Sequence, residues 1–153
     1  MKKRRLGIVS LLGIGLVLVL CSCGGGSSNK RLTKEQFAAK ANALCVTFNK
    51  QVSAIGKPKT TAEQIARVKK LLPLDRKLVA DVEKLNPPTS EAAAAKRVVA
   101  LGKEQADRID ALLAAISKKD AAQIKKLIAQ GDANQKESEA LFTKLGIKEC
   151  ATN

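Results

Sequence analysis

The sequence contains no histidine, tryptophan or tyrosine, and three phenylalanines are its only aromatic side chains. Histidine is a frequent general base and metal ligand near neutral pH, and aromatic side chains stack on nucleic acid bases. Their absence argues against a histidine-dependent enzyme, a metal site that combines cysteine with histidine, and a nucleic-acid-binding protein. We therefore expect no catalytic activity, no cofactor, no metal site and no nucleic acid partner.

The first 20 residues have the composition of an export signal. Lys2, Lys3, Arg4 and Arg5 are followed by an uncharged segment of 15 residues, from Leu6 to Leu20. This arrangement is typical of a secretory signal peptide, and the apolar run is shorter than the roughly 20 residues that a spanning helix needs. A retained transmembrane anchor is the competing interpretation. Arg4-Arg5 also matches a twin-arginine signal, but paired arginines beside lysines have little specificity.

The segment Leu20-Cys21-Ser22-Cys23 resembles the lipobox of bacterial lipoproteins, in which a cysteine is acylated and becomes the new N-terminus. Cys23 fits this pattern better than Cys21, because the small Ser22 precedes it and Leu20 lies three positions before it. Acylation of Cys21 would instead require cleavage after the bulky Leu20. The resemblance implies that Cys23 carries fatty acyl chains such as palmitate.

These features divide the chain into a signal peptide (1–22), a lipid-anchored Gly/Ser tether (23–32) and one folded domain (33–153). Cleavage before Cys23 removes 22 of 153 residues, leaving 131, and four of 28 basic residues, leaving 24 against 14 acidic ones. The mature chain is long enough for a single core and carries a moderate positive charge.

The domain is rich in residues that favour helices and poor in strand-forming runs. Apolar side chains recur three and four residues apart in four segments, each opened by a capping residue. The predicted starts are Thr33, Thr60 or Thr61, Thr89 or Ser90, and Asp120, and the predicted ends lie near Ile55, Leu85, Ile116 and Leu145. Short connectors between them predict an all-α, up-down-up-down four-helix bundle. Pro73 removes a backbone hydrogen bond and predicts a kink in the second helix.

Cysteine parity is consistent with acylation of Cys23. If Cys21 leaves with the signal and Cys23 takes the lipid, Cys45 and Cys150 remain as a pair in an oxidising compartment. In the predicted bundle the C-terminal tail can fold back along the first helix and reach Cys45. The alternative is that Cys45 is a small buried hydrophobic residue.

This arrangement resembles a group of uncharacterised actinobacterial small secreted lipoproteins. The matching features are the lipobox with its Gly/Ser tether, the segment from Phe37 to Cys45, Pro87-Pro88, and Leu145-Gly146-Ile147 followed by Cys150. The resemblance implies a lipid-anchored helical domain with a Cys45–Cys150 disulfide, and it implies no activity.

Two groups of basic residues are candidate anion-binding sites, and their members are Lys118, Lys119, Lys125 and Lys126, and Arg67, Lys69 and Lys70. Such groups attract lipid head groups, cell-wall phosphates or acidic proteins, although many are simply solvated helix surface. Acidic residues Glu104, Asp107 and Asp110 lie three apart, and we interpret them as a solvated face.

We expect a non-catalytic interaction or accessory module, lipid-anchored at the outer face of the cell membrane, with a protein partner. The alternative is a binder of anionic envelope polymer or lipid head groups.

Overall fold

The structure is a computed structural model and describes residues 30–151. They form four helices, α1 (Lys34–Ala54), α2 (Thr61–Glu83), α3 (Ala92–Ser117) and α4 (Ala121–Leu145), and two 3-10 turns, Thr89–Glu91 and Lys148–Cys150. The predicted all-α four-helix bundle is confirmed. Within residues 30–151, no helix has the length and apolar character needed to cross a membrane. The predicted signal peptide, lipobox and Gly/Ser run lie outside the described residues.

Side-chain caps begin three of the helices where the sequence predicts them. The Thr33 hydroxyl accepts the N–H of Gln36, whose side chain accepts the N–H of Thr33, so this capping box is complete. The Thr60 hydroxyl accepts the N–H of Glu63 at the start of α2, and the Asp120 carboxylate accepts the N–H of Gln123 at the start of α4. The predicted capping boxes at these two starts are incomplete, since the Glu63 side chain accepts the N–H of Lys59 and not that of Thr60. Each cap satisfies a backbone donor that the first helical turn leaves unpaired.

The predicted cap of the third helix is wrong. Neither Thr89 nor Ser90 caps α3, because Thr89–Glu91 forms a 3-10 turn and α3 begins only at Ala92. Pro88 precedes this turn in an extended conformation, which moves the start of the helix along the chain. Glu91 therefore occupies the cap position, and its buried carboxylate pairs with Lys34 on α1, with Nζ and Oε1 3.0 Å apart.

Helix α2 continues on both sides of Pro73. The proline has no N–H, so one carbonyl of the preceding turn loses its intrahelical partner. The kink expected at this position stays a prediction.

Ion pairs set the relative height of the helices. Arg76 on α2 pairs with Asp110 on α3, and Lys103 on α3 pairs with Glu83 on α2. Between α3 and α4, Arg97 holds Glu137 through two bonds of 2.7 and 2.8 Å. These pairs are exposed and contribute little stability individually, but they are compatible with only one antiparallel register.

The largest core cluster lies where α1 meets the C-terminal segment. Phe37, Ala41 and Cys45 on α1 are buried against Leu145 and Ile147. Gly146 ends α4 in the left-handed conformation, as the sequence predicts, and the Ile147 N–H bonds back to the Phe142 carbonyl. This turn directs the last residues onto α1, where the Cys45 and Cys150 Cα atoms are 5.2 Å apart, within the range of a disulfide.

Asparagine side chains on α1 fix the same segment through its backbone. Asn42 donates to the Gly146 carbonyl at 3.0 Å and accepts the Glu149 N–H at 2.9 Å. Two turns further along, Asn49 donates to the Glu149 carbonyl at 3.0 Å. The C-terminal segment therefore packs against α1 as a short 3-10 turn. It does not need to be fully extended for Cys150 to reach Cys45.

The folded domain includes residues just before position 33, where the sequence analysis places its start. Leu32 packs against the core cluster, and its N–H donates to the Asn86 carbonyl at 2.8 Å. Arg31 donates to the Pro87 carbonyl at 3.1 Å. The chain thus enters the domain beside the connection between α2 and α3.

Reduction of the Cys45–Cys150 pair should lower the melting temperature strongly. The two cysteines are 105 residues apart, and closing a loop of that size stabilises a fold by about 4 to 5 kcal/mol on the chain-entropy account. Circular dichroism melting with and without dithiothreitol measures the change. The Cys45→Ala/Cys150→Ala variant should melt at the lower temperature and ignore dithiothreitol. An unchanged melting curve of the native protein on reduction would show that the bridge does not form.

Substitution of two helical glycines should have opposite effects. A Cβ at Gly102 would lie 2.5 Å from a methyl of Val79, whereas a Cβ at Gly131 meets nothing within 4 Å. Alanine improves helix propensity at both positions by about 1 kcal/mol. Gly131→Ala should therefore stabilise the protein, and Gly102→Ala should leave it about 1 to 3 kcal/mol less stable than Gly131→Ala, because valine is stiff and the core is packed. Urea denaturation of both variants tests this, and equal gains would disprove close α2–α3 contact.

Candidate functional site

A cavity of about 510 Å³ lies inside the bundle. All four helices contribute to its wall, which is mainly apolar and includes Phe48, Leu78, Val98, Leu112 and Phe142. Four alanines, Ala94, Ala95, Ala106 and Ala115, are buried along α3, the helix that also contributes several residues to the cavity wall. Such residues let backbones approach closely but fill little volume, so the centre of the bundle keeps an open space.

One polar part of the cavity wall lies on α2 and α3. Asp75, Gln105 and Arg108 line the cavity there, and the Arg108 guanidinium donates to the side-chain Oε1 of Gln105. The Asp75 Oδ2 atom is buried and has no hydrogen-bond partner among residues 30–151. Burial raises the pKa of the Asp75 carboxyl, and the charge of the adjacent Arg76 opposes that shift. A carboxylate in this position is costly for the fold.

Asn134 on α4 is a second buried polar group in the wall. Its side chain belongs to a residue that is only 6% exposed, and Nδ2 donates to the Leu101 carbonyl at 3.2 Å. That bond fixes which way the amide is turned, since a carbonyl cannot accept from Oδ1. The Asn134 Oδ1 atom then remains a buried acceptor with no partner in the described part of the chain.

The rim of the cavity includes an exposed apolar side chain. Helix α1 makes its main contacts with α2 and with the 3-10 turn at Lys148–Cys150, while α4 packs mainly on α3. Ile128 on α4 lines the cavity and is 52% exposed, and among the described residues it is the exposed large hydrophobic side chain. Asp132 and Gln135 follow on the same helix and are also exposed. Ile128 therefore indicates where the cavity opens to solvent.

The predicted site residues occupy other parts of the molecule, except for the disulfide pair. Cys45 and Cys150 form part of the cavity wall, so the bridge closes one side of it. Cys23 lies outside the described residues. The seven candidate anion-binding residues do not line the cavity. Within residues 30–151, no three metal-ligating side chains converge.

The candidate anion-binding residues lie toward the end of the bundle opposite the tether. Lys118 and Lys119 form the turn between α3 and α4, and Lys125 and Lys126 follow in the first turns of α4. The α2–α3 pairing of Arg76 with Asp110 places Arg67, Lys69 and Lys70 at the height of the α3 C-terminus. Apart from the partly buried Arg67, these side chains are exposed. None of the seven forms an ion pair within residues 30–151.

The acidic residues on α3 form ion pairs at the surface. Asp110 and Asp107 lie beside Arg76, and Glu104 pairs with Arg97 at 2.8 Å. Their side chains are 51%, 84% and 48% exposed, respectively. They fit the solvated face expected from the sequence and take no part in the cavity.

The cavity itself was not predicted from the sequence. The one signal available was the polar middle of α4, residues 130–139, which interrupts an otherwise apolar stripe. That stretch places Asn134, Gln135 and Ser138 on the cavity wall. A polar interruption of a buried stripe can therefore indicate a site as well as a weak point of the helix.

Asp75→Asn should stabilise the protein at neutral pH. The folded-state pKa of Asp75 lies above its unfolded value. The ionised carboxylate therefore destabilises the folded protein fully at a pH above the folded-state pKa, and this destabilisation disappears at a pH below the unfolded-state pKa. We expect a gain of about 1 kcal/mol at pH 7. The gain should shrink as the pH falls through the folded-state pKa and be absent at about pH 3, below the unfolded value of about 3.9. Urea denaturation at both pH values measures it. Asp132→Asn, at an exposed carboxyl near the same cavity, controls for the lost charge, and an equal gain in both variants would contradict the prediction.

Comparison with known proteins gives no relative from which a function can be transferred. The sequence matches no protein-family model, no curated protein and no solved structure. What the molecule binds is therefore inferred from its own side chains.

Proposed function

We propose that this protein is a lipid-anchored helical binding module at the outer face of the cell membrane, without catalytic activity. The observation that carries this proposal is the disulfide-range pair Cys45–Cys150. Disulfides persist in oxidising compartments, and a pair that joins both ends of a small domain fits a protein folded outside the cytoplasm. The leader from Lys2 to Leu20 and the cysteine at position 23 support the same compartment.

The geometry of the domain supports a binding role held at a distance from the membrane. The chain enters the bundle beside Asn86 and Pro87. From there α1 extends for 21 residues, which corresponds to about 31 Å at 1.5 Å per residue. The opposite end of the bundle is therefore the part that reaches furthest from an anchor on Cys23. A protein partner or an envelope polymer is the kind of target that such placement suits.

The absence of histidine from the sequence supports a non-catalytic role. The polar groups of the cavity wall are carboxyl, amide, guanidinium and hydroxyl groups, and their residues are Asn49, Asp75, Gln105, Arg108, Asp132, Asn134, Gln135 and Ser138. Among them Arg108 bonds to Gln105, and Asn134 bonds to a backbone carbonyl. These bonds fit a binding site better than a nucleophile activated by an adjacent base.

The anchor is tested by mass spectrometry of the protein purified from membranes of its native host. The expected mature chain begins at Cys23, lacks residues 1–22 and carries fatty acyl chains on the cysteine. Cys23→Ser should abolish acylation and keep the leader attached, whereas Cys21→Ser should leave processing unchanged. Recovery of a chain with residues 1–22 and an unmodified Cys23 would refute the lipid anchor and favour a retained transmembrane segment.

A second candidate function is binding of an anionic envelope polymer at the basic end of the bundle. The observation in its favour is that seven cationic side chains lie toward the tether-distal end and have no ion pair in the described part of the chain. Their distance from the tether favours a phosphate-rich polymer over lipid head groups of the anchoring membrane. Attraction of this kind weakens as salt screens the charges.

Charge reversal distinguishes this binding from a general effect of net charge. The variant Lys118→Glu/Lys119→Glu/Lys125→Glu/Lys126→Glu should lose most of its low-salt sedimentation with cell-wall polymer. The matched control, Lys40→Glu/Lys96→Glu/Lys136→Glu/Lys144→Glu, changes the charge equally on exposed residues in the tether-proximal half and should retain it. Equal loss in both variants, or no sedimentation of the native protein at low salt, would rule out a specific basic end.

A further inference from the structure

The cavity has the size and lining of a small-molecule site. Its volume of about 510 Å³ falls within the range of about 300 to 1,000 Å³ that is usual for ligand pockets. Its wall is predominantly apolar, with few polar groups among the aliphatic and phenyl side chains. Such a lining favours a ligand with an apolar body and a limited polar part.

The unpartnered polar atoms specify the chemistry of that polar part. Asn134 Oδ1 and Asp75 Oδ2 are both buried, and both are hydrogen-bond acceptors without a partner in the described chain. Asn134 is more than nine-tenths buried, and its donor is already used by the Leu101 carbonyl. A buried acceptor without a partner costs about 1 to 3 kcal/mol. A ligand that donates a hydrogen bond to Asn134 Oδ1 removes that cost.

The charges around the cavity disfavour an anionic head group. Two carboxyls, those of Asp75 and Asp132, line it beside a single guanidinium, that of Arg108, which donates to the side-chain oxygen of Gln105 and keeps its charge. A fatty-acid carboxylate has no hydrogen to donate to Asn134 and would approach both carboxyls. An alcohol or an ammonium group has the required donor.

We propose that this cavity binds one small amphiphile, with an aliphatic body of roughly ten carbons and an O–H or N–H head group that donates to Asn134 Oδ1. The exposed Ile128 marks the mouth through which the aliphatic body enters. This binding does not depend on the basic end, because the candidate anion-binding lysines do not line the cavity, and no step of it uses the lipid anchor.

Photolabelling of the full chain in lipid nanodiscs tests the proposal. The probe is a ten-carbon primary alcohol with a diazirine midway along its chain, and peptide mapping locates the labelled residues. We expect label on α3 and α4 side chains of the cavity wall. Competition with 1-decanol or decylammonium should prevent labelling at a concentration roughly tenfold lower than decane requires, since decane lacks the hydrogen bond. The more potent of the two identifies the head group as hydroxyl or ammonium.

Gly131→Leu and Ala129→Leu distinguish binding in the cavity from non-specific labelling of apolar surface by the probe. Gly131→Leu places an aliphatic side chain where a Cβ meets nothing within 4 Å, so it should fill the cavity and abolish the label. Ala129→Leu adds the same side chain at an exposed position of α4 outside the cavity wall and should leave labelling unchanged. Asn134→Leu should remove the tenfold advantage of decanol over decane while the aliphatic probe still binds.

The proposal fails if Gly131→Leu and Ala129→Leu label equally, because the label then reports partition and not a site. It also fails if decane protects the native chain as well as decanol does, because Asn134 then makes no bond to the ligand. The second comparison uses only the native protein, so it stands even if Asn134→Leu does not fold. Loss of acylation at Cys23 would leave both results unchanged.

Discussion

The contact of the C-terminal segment with α1 is the constraint on which the rest of this bundle depends. Helix α1 has its main helical neighbour in α2, so its buried face from Phe37 to Cys45 needs cover from elsewhere. Leu145 and Ile147 provide it, and they do so because Gly146 turns the chain back onto α1. The Cys45–Cys150 pair and the Asn42 bonds hold that turn in place. Without them, the buried face of α1 that α2 does not cover would be exposed to solvent.

This way of closing the bundle also explains the cavity. The tail is short, so it covers α1 only beside the core cluster and leaves the space toward Ile128 without cover. Alanine and glycine along α3 allow close helix contact but cannot fill the centre. At Gly102, for example, an added Cβ would lie 2.5 Å from a methyl of Val79 on α2. With three phenylalanines in the whole sequence, few side chains are large enough to occupy the space. The small residues that allow the helices to pack closely therefore also leave the space in the bundle unfilled.

Local signals predicted the helices well, because caps and apolar spacings act within one or two turns. Thr33, Asp120 and Gly146 each bond to backbone within five residues, so their roles are readable without tertiary structure. The start of α3 was misplaced because a 3-10 turn after Pro88 competes with direct capping, and Glu91 serves Lys34 on another helix. The cavity was not predictable, since its volume depends on how far apart the helix axes lie. The sequence shows that Asn134 is polar, but its burial follows from helix packing and cannot be read from the sequence.

The energetics of the buried polar atoms connect the disulfide with binding. Asp75 Oδ2 and Asn134 Oδ1 each reduce stability by about 1 to 3 kcal/mol, and a sequence selected for stability alone would place apolar side chains there. A bridge across 105 residues contributes about 4 to 5 kcal/mol, which is of the same size as the two costs together. A small domain that is closed covalently can therefore keep a polar, incompletely filled centre and remain folded. Stability gained at Cys45 and Cys150 offsets the cost of keeping Asp75 and Asn134 in the cavity wall, which is the cost that the proposed ligand would remove.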